Sequence, residues 1–220
     1  MLKRGSEVRL FWRKLRQGKK TRKQKLAIPL SRMLFLLNIC CMPIAETSDA
    51  DNFLTRVDRE IFDAIYDTPP RREPIGTVME RITDLGDART MMGLSIVLMA
   101  YGDELHRETG RLMSSAFIGT GVVVFGVKEI VRRKRPLDNR LGNPAFPSGH
   151  TAYAFAAATV LSNRYPKLRI PFYIGAGLVG LSRIYLGRHY ASDVFGGAAV
   201  GTVAGVLIMH HRATLLKWEF

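Results

Sequence analysis

The chain is a succession of apolar blocks divided by short polar joints, and that pattern limits its fold more than any other feature. Residues 26–45 are apolar apart from Ser31, Arg32 and Asn38. Blocks 91–102, 112–127, 141–163 (with His150 inside) and 194–209 carry no fixed charge until their ends, and a fifth block, 170–183, continues to Gly187. Strands are disfavoured, because apolar and polar residues do not alternate and Ala and Gly are common. Helices are therefore expected throughout. Each block is short beside the ~20 residues that a membrane span requires. Flanking residues that snorkel lengthen such blocks. The mean hydropathy of +0.01 is low for a chain living in lipid. A soluble all-helical core is thus the competing reading.

Composition narrows the class. With 220 residues, 47% apolar and 24% charged, the chain has material for one domain with a sizeable core and is not a disordered polyelectrolyte. Two adjacent cysteines, Cys40 and Cys41, sit in an apolar run and read as small hydrophobes. The net charge of +14 is unevenly placed: residues 1–32 hold twelve of the 33 basic side chains and one acid, Glu7. The rest of the chain is close to neutral. A basic tail ahead of an apolar run is the usual cytoplasmic anchor of a membrane segment. The other use of such a tail, as a nucleic-acid arm, lacks support: Phe11 and Trp12 are its aromatics, and it carries no nucleic-acid-binding motif. Residues 26–45 form either a retained first span or a cleaved signal. The span is favoured, since Pro43-Ile44-Ala45 makes a poor cleavage site.

Residues 51–86 have another texture. Leu54, Val57, Ile61 and Ile65 recur at helical spacing among charges, and Pro69-Pro70 ends that stretch. Pro74 suits a first helical position, and Ile75, Val78, Met79, Ile82 and Leu85 form a second stripe closed by Gly86. Two amphipathic helices are expected, packed on the body or lying at the membrane interface. With the tail in the cytoplasm, six crossings at about 26–45, 89–104, 112–130, 149–165, 168–186 and 194–211 alternate sides. Arg164, Lys167 and Arg169 then fall inside, as the positive-inside rule requires. Arg132, Arg133, Lys134, Arg135 and Arg140 fall outside, against that rule, which suggests that they serve something other than topology. The expected fold is an all-α polytopic membrane bundle of about six transmembrane helices. It consists of a basic tail at 1–32 and one membrane-embedded domain at 33–220.

Chemistry concentrates in three segments. Lys128 and Arg135 are seven residues apart and share a helix face, with Arg132 between them, and Pro136 ends the helix near Arg135. Such a stripe presents cations to one point, although a basic helix end near a membrane often meets only headgroups. Pro147-Ser148-Gly149-His150 precedes an apolar run. Ser148 is a good N-cap, Gly149 permits close backbone approach, and a helix N-terminus suits an anion. Taken alone, that segment is equally a capped helix with an incidental histidine. Third come Ser182, Arg183, Gly187, His189 and Asp193. At i and i+4 on a helix, Asp193 can accept the His189 Nδ1–H and leave Nε2 as a nucleophile. Arg183 and His189 meet one ligand only if the chain breaks between them, which Gly187 permits. No Walker-type loop, H-E-x-x-H or Cys/His metal spacing occurs. Cations, a helix-end anion cradle and two histidines fit metal-free phosphoryl transfer through histidine. All three segments fall at the outer ends of their helices. Spacing alone does not say which histidine attacks.

These segments resemble the three signature motifs of the type-2 phosphatidic acid phosphatase superfamily, K-x6-R-P, P-S-G-H and S-R-x5-H-x3-D. All eleven fixed positions are present in order: Lys128, Arg135, Pro136, Pro147, Ser148, Gly149, His150, Ser182, Arg183, His189 and Asp193. The resemblance covers residues 128–193 directly and favours the membrane-bound branch. The ten residues between the first two motifs leave little material for a lid. The resemblance implies that His189 attacks phosphorus and forms a phosphohistidine. Asp193 orients His189, while His150 protonates the departing alkoxide and then activates water. Lys128, Arg135, Ser148, Gly149 and Arg183 hold the phosphate oxygens. It implies no metal and no cofactor.

Apolar helices around a cationic pocket favour a phosphate monoester or diphosphate on a lipid whose tail enters from the bilayer. The expected setting is a bacterial inner membrane, with the site facing the outer, periplasmic side and the N-terminus cytoplasmic. The expected partners are a lipid phosphate and the bilayer, and no nucleic acid. Three other readings stand beside this one: a soluble or periplasmic acid phosphatase of the same superfamily, a vanadate-dependent haloperoxidase with a similar oxyanion pocket, and a non-enzymatic anionic-lipid binder. His106, His210 and His211 are expected to contact solvent or headgroups only.

Overall fold

The computed structural model describes residues 48–67, 74–137 and 143–217, and among these residues there is no strand. The expectations for the basic tail and for a span at 26–45 lie outside the described residues. Helix α1 is Ser48–Tyr66, α2 Ile75–Asp84, α3 Ala88–Tyr101, α4 Glu104–Val131, α5 Gly149–Arg164, α6 Arg169–Tyr185, α7 Ala191–His210 and α8 Arg212–Leu215. A 3₁₀ turn, Pro166–Leu168, joins α5 to α6. Local chemistry sets several boundaries. Asp87 caps α3 by accepting the Arg89 N–H at 2.8 Å, and Asp103 caps α4 by accepting the His106 N–H at 3.0 Å. His106 also meets Asp103 through Nδ1 at 2.6 Å, so it belongs to this cap as well as to the surface.

Helix α5 is the centre of the bundle. One of its faces joins α4 and α7 in a core of Leu112, Met113, Ala116, Phe117, Ala156, Ala157, Val160 and Met209. Another meets α6 through Ala154, Ala158, Ala176 and Val179. Small residues allow the closest seam, between α5 and α7. A Cβ placed on Gly201 would strike the Ala152 carbonyl, and one on Gly205 would lie 2.6 Å from Thr159 Cβ. With Gly197 also on this face, three glycines at four-residue spacing bring the two backbones together. That contact sets the second motif against the third.

Packing also shows what faces outward. Ile118, Val122, Phe125 and Ile130 of α4 are 62%, 68%, 67% and 83% exposed. An apolar face of this kind in water would be a large uncovered patch. Helices α4 (28 residues) and α7 (20 residues) are long and apolar enough to cross a membrane. The expected blocks at 91–102, 112–127, 170–183 and 194–209 each fall largely within one helix. Block 141–163 does not, because the chain is helical only from Gly149.

Several local expectations change. Helix α4 ends at Val131 rather than near Arg135, since Arg132 turns left-handed at φ 45°. Pro74 occupies the N-cap of α2 rather than its first turn. Leu85 is the C-cap, and Gly86 packs the α2–α3 turn onto the bundle. A Cβ on Gly86 would lie 2.5 Å from Val179 Cγ1 and 2.9 Å from the His150 carbonyl oxygen. Helix α1 docks through Phe62, which packs with Ile184 and Ala191 and stacks on Tyr66.

Candidate active site

The C-terminal ends of α4 and α6 meet the N-terminal ends of α5 and α7 at one end of the bundle. The α2–α3 turn lies there too. The Ser148 N–H donates to the Asp193 carbonyl at 2.9 Å, which ties the second motif to the third. The Lys128 ammonium donates to the Pro144 carbonyl, which ties the first motif to the approach of the second. Arg135 grips Asn143 on the same approach, through its carbonyl at 3.0 Å and its side-chain oxygen at 2.7 Å. At the opposite end Arg164 of α5 pairs with Glu108 of α4 at 2.5 Å, so these two helices are antiparallel.

His189 lies in the short connection between α6 and α7, made possible by Gly187 at φ 69°. It is 1% exposed. Burial pushes its pKa down to about 4, and the Arg135 and Arg183 charges push the same way, while Asp193 opposes them. The imidazole is therefore neutral at physiological pH, as a nucleophile must be. Its Nδ1 lies 3.7 Å from Asp193 Oδ2 and has no closer partner. Catalytic hydrogen bonds are often long before substrate arrives and tighten in the complex.

The expectation that His189 and Asp193 share a helix is corrected. Tyr190 is the N-cap of α7, and His189 precedes it. Asp193 is the third helical residue and closes a capping box, accepting the Tyr190 N–H at 2.9 Å. The i,i+4 pair still meets, across a helix start. Ser148 is also only half as expected. It stands at the N-cap of α5, but its side chain caps nothing and instead accepts from the Thr151 hydroxyl at 2.9 Å.

The cations gather around His189. Lys128 feels the charges of Arg135, Arg183 and Asp193. His150 feels Arg183, Asp87, His189 and Arg135. Arg183 is buried; one arm of its guanidinium donates to Thr83 Oγ1 at 2.8 Å, and its Nε–H has no partner. A buried donor left unmade costs about 1–3 kcal/mol, which an entering oxyanion would recover. Gly149 sits at the start of α5, and a Cβ there would meet only Val124 Cγ1, at 3.8 Å. Such a helix start, ringed by cations, can bind a tetrahedral anion. One cation of the expected stripe is absent: Arg132 turns away to Glu129 at 3.3 Å.

Three residues at the site, Thr83, Asp87 and Asp58, have no counterpart in the sequence reading, and Arg133 figured there only among the cations set against the positive-inside rule. Thr83 holds Arg183. Asp87 lies 3.8 Å from His150 Nε2. Burial acts to raise the Asp87 pKa, but bonds from Arg89 and the charges nearby outweigh it and lower the pKa. Buried Asp58 and half-buried Arg133 form a pair at 2.6 Å that reaches Asp193. A signal for Asp58 existed, because it interrupts the apolar stripe of α1, three residues before Ile61 and four before Phe62.

Comparison with known proteins places this geometry. A lipid A 1-phosphatase of Porphyromonas gingivalis is 40% identical over 102 residues, 44% of this chain but only 21% of that protein, so the chain spans about a fifth of that relative. Phosphatidylglycerophosphatase B of Bacillus subtilis is 34% identical over 155 residues, 62% of this chain and 75% of the relative. A solved transmembrane PAP2-type phosphatidylglycerolphosphate phosphatase from Bacillus subtilis superposes with a TM-score of 0.67 at 26% identity, covering 88% of this chain and all of that one. The PAP2 superfamily profile matches residues 106–217, which include all three motif segments and the four helices that carry them. By sequence and by fold, the chain belongs to the PAP2 superfamily.

Proposed function

We propose that this chain is a metal-independent membrane phosphatase that removes phosphate from a lipid phosphate monoester or diphosphate through a phosphohistidine. The carrying observation is a buried, neutral His189 lying beside Asp193 and within the field of Arg135 and Arg183. In the first step the His189 Nε2 lone pair attacks phosphorus and the P–O bond to the lipid breaks. His150 gives its proton to the departing alkoxide. In the second step His150 takes a proton from water, the water oxygen bonds to phosphorus, and the P–N bond breaks. Asp193 accepts the Nδ1–H as positive charge develops on His189. Lys128, Arg135 and Arg183, with the Ser148 hydroxyl and the Gly149 N–H, hold the three equatorial oxygens. Fixed donors of this kind are each worth ~3 kcal/mol in a transition state, and a positioned acid such as His150 contributes ~10²–10⁴-fold.

The membrane setting follows from the outward apolar face of α4 and from the transmembrane relative. Residues 1–32 form a basic cytoplasmic tail and 33–220 one membrane-embedded domain, with six crossings and the site at the outer side of the inner membrane. Phosphate release from a panel of lipid phosphates in detergent, with a His189→Ala control and with EDTA, tests the assignment. Turnover is expected in wild type, lost in the variant and unchanged by EDTA. Near-normal turnover by the variant overturns it.

A further inference from the structure

These roles leave one partly buried cluster unused. Arg133 donates from one arm of its guanidinium to Asp193 Oδ1 at 2.8 Å and to Ser192 Oγ at 2.5 Å. Its other arm donates to Asp58 Oδ2 at 2.6 Å. Asp58, on α1, also accepts the Ser192 N–H at 2.9 Å and the Ser192 hydroxyl at 2.5 Å. The guanidinium stacks over the Tyr190 ring, 4.6 Å from its centroid. One carboxylate of α1 and one arginine thus hold Tyr190, Ser192 and Asp193, three residues of the turn that begins α7.

We propose that Arg133, held by Asp58, is a positioning residue for the attack step, fixing the Asp193 carboxylate in the orientation that meets Nδ1 of His189. The inference rests on the phosphohistidine reading and extends it to Arg133, at an unspecified position of the first motif, and to Asp58, outside all three. A carboxylate has two oxygens to fix. Asp193 Oδ2 accepts the Tyr190 N–H and faces His189; Oδ1 is held by Arg133. Asp193 is fully buried, and a mobile water in the place of the Arg133 guanidinium would not hold Oδ1 in one direction as the fixed donor does. Without that donor, Oδ1 loses its fixed partner, and the carboxylate gains by rotating toward whatever donor remains. Nδ1 of His189 then loses its acceptor when positive charge appears on the ring. Arg133 touches neither substrate nor His189 in this scheme. Its effect belongs in kcat rather than in KM.

The test is a double-mutant cycle on the full chain in detergent micelles, with a long-chain phosphatidic acid as substrate. Arg133→Gln is expected to lower kcat about 10–100-fold, by analogy with the loss of outer partners that orient metal-binding histidines. KM is expected to stay within about twofold. In an Asp193→Asn background the same change is expected to cost no more than about twofold, because the group it acts through is already disabled. Arg133→Lys is expected to restore part of kcat, and Asp58→Asn to repeat the loss only while Asp193 is intact. Should Arg133→Gln not accumulate as folded protein, Arg133→Lys carries the same cycle. Equal losses in both backgrounds, a raised KM at normal kcat, or an undiminished kcat overturns the clamp. None of these touches the phosphohistidine reading, which fails separately if His189→Ala retains turnover.

Discussion

His189, the proposed nucleophile, shows what burial does to an imidazole. Its folded pKa, about 4, lies below the ordinary 6.5, and burial is the largest cause. Between those values the unfolded chain takes a proton that the folded chain refuses. Stability that this group supplies above pH 6.5 is therefore withdrawn as pH falls toward 4. Thermal unfolding in detergent is expected to show a steeper loss of Tm over that window in wild type than in His189→Ala. Equal slopes would contradict the buried neutral imidazole. At this scale, the sequence showed the groups whose spacing is fixed along the chain. His189 and Asp193 are four residues apart, and Lys128 and Arg135 seven. It did not show Thr83, Asp87 or Asp58, nor what Arg133 pairs with, because these partners come from distant elements: Arg133 meets Asp193 across 60 positions, and Asp58 meets Ser192 across 134. No local periodicity records such a pairing. Arg132 was misplaced for the opposite reason, because helical spacing assumes a helix that in fact ends at Val131.

Among the elements, the seam between α5 and α7 does most to align the site. Gly201 approaches the Ala152 carbonyl so closely that a methyl group forces one helix to move. Gly175 of α6, by contrast, has open space where its Cβ would be. Gly201→Ala is expected to destabilise the protein by about 1–3 kcal/mol through overpacking. Gly175→Ala is expected to be neutral or to stabilise by up to about 1 kcal/mol, since Ala is the better helix former. Unfolding in detergent compares them directly, and equal effects would contradict the seam. The helices themselves were legible, because uninterrupted apolar blocks rich in Ala and Gly admit no other regular structure. Their ends were less so. Block 141–163 looked continuous, yet Pro144 and Pro147 and the packing of the second motif delay the helix to Gly149. Helix starts set by caps and helix ends set by a left-handed residue depend on geometry that hydropathy does not carry.

For the whole molecule, the low mean hydropathy of +0.01 has a simple origin. The basic tail and the charged amphipathic segments dilute the apolar helices. The outward face of α4 is where the lipid character resides, and the proposed phosphate ligand Lys128 stands on the same helix. A substrate held by both features should need a tail. A long-chain lipid phosphate is expected to be hydrolysed with higher kcat/KM than a short water-soluble phosphate ester in the same micelles. Equal or better turnover of the soluble ester would contradict the lipid assignment and leave the chemistry intact. The claim on which all of this rests is a covalent bond between His189 and phosphorus. Rapid quenching in alkali during turnover of a ³²P-labelled lipid phosphate measures it. Acid-labile, alkali-stable label is expected on the peptide containing His189 and none in His189→Ala. Label that persists in that variant, or that maps to another residue, would contradict it.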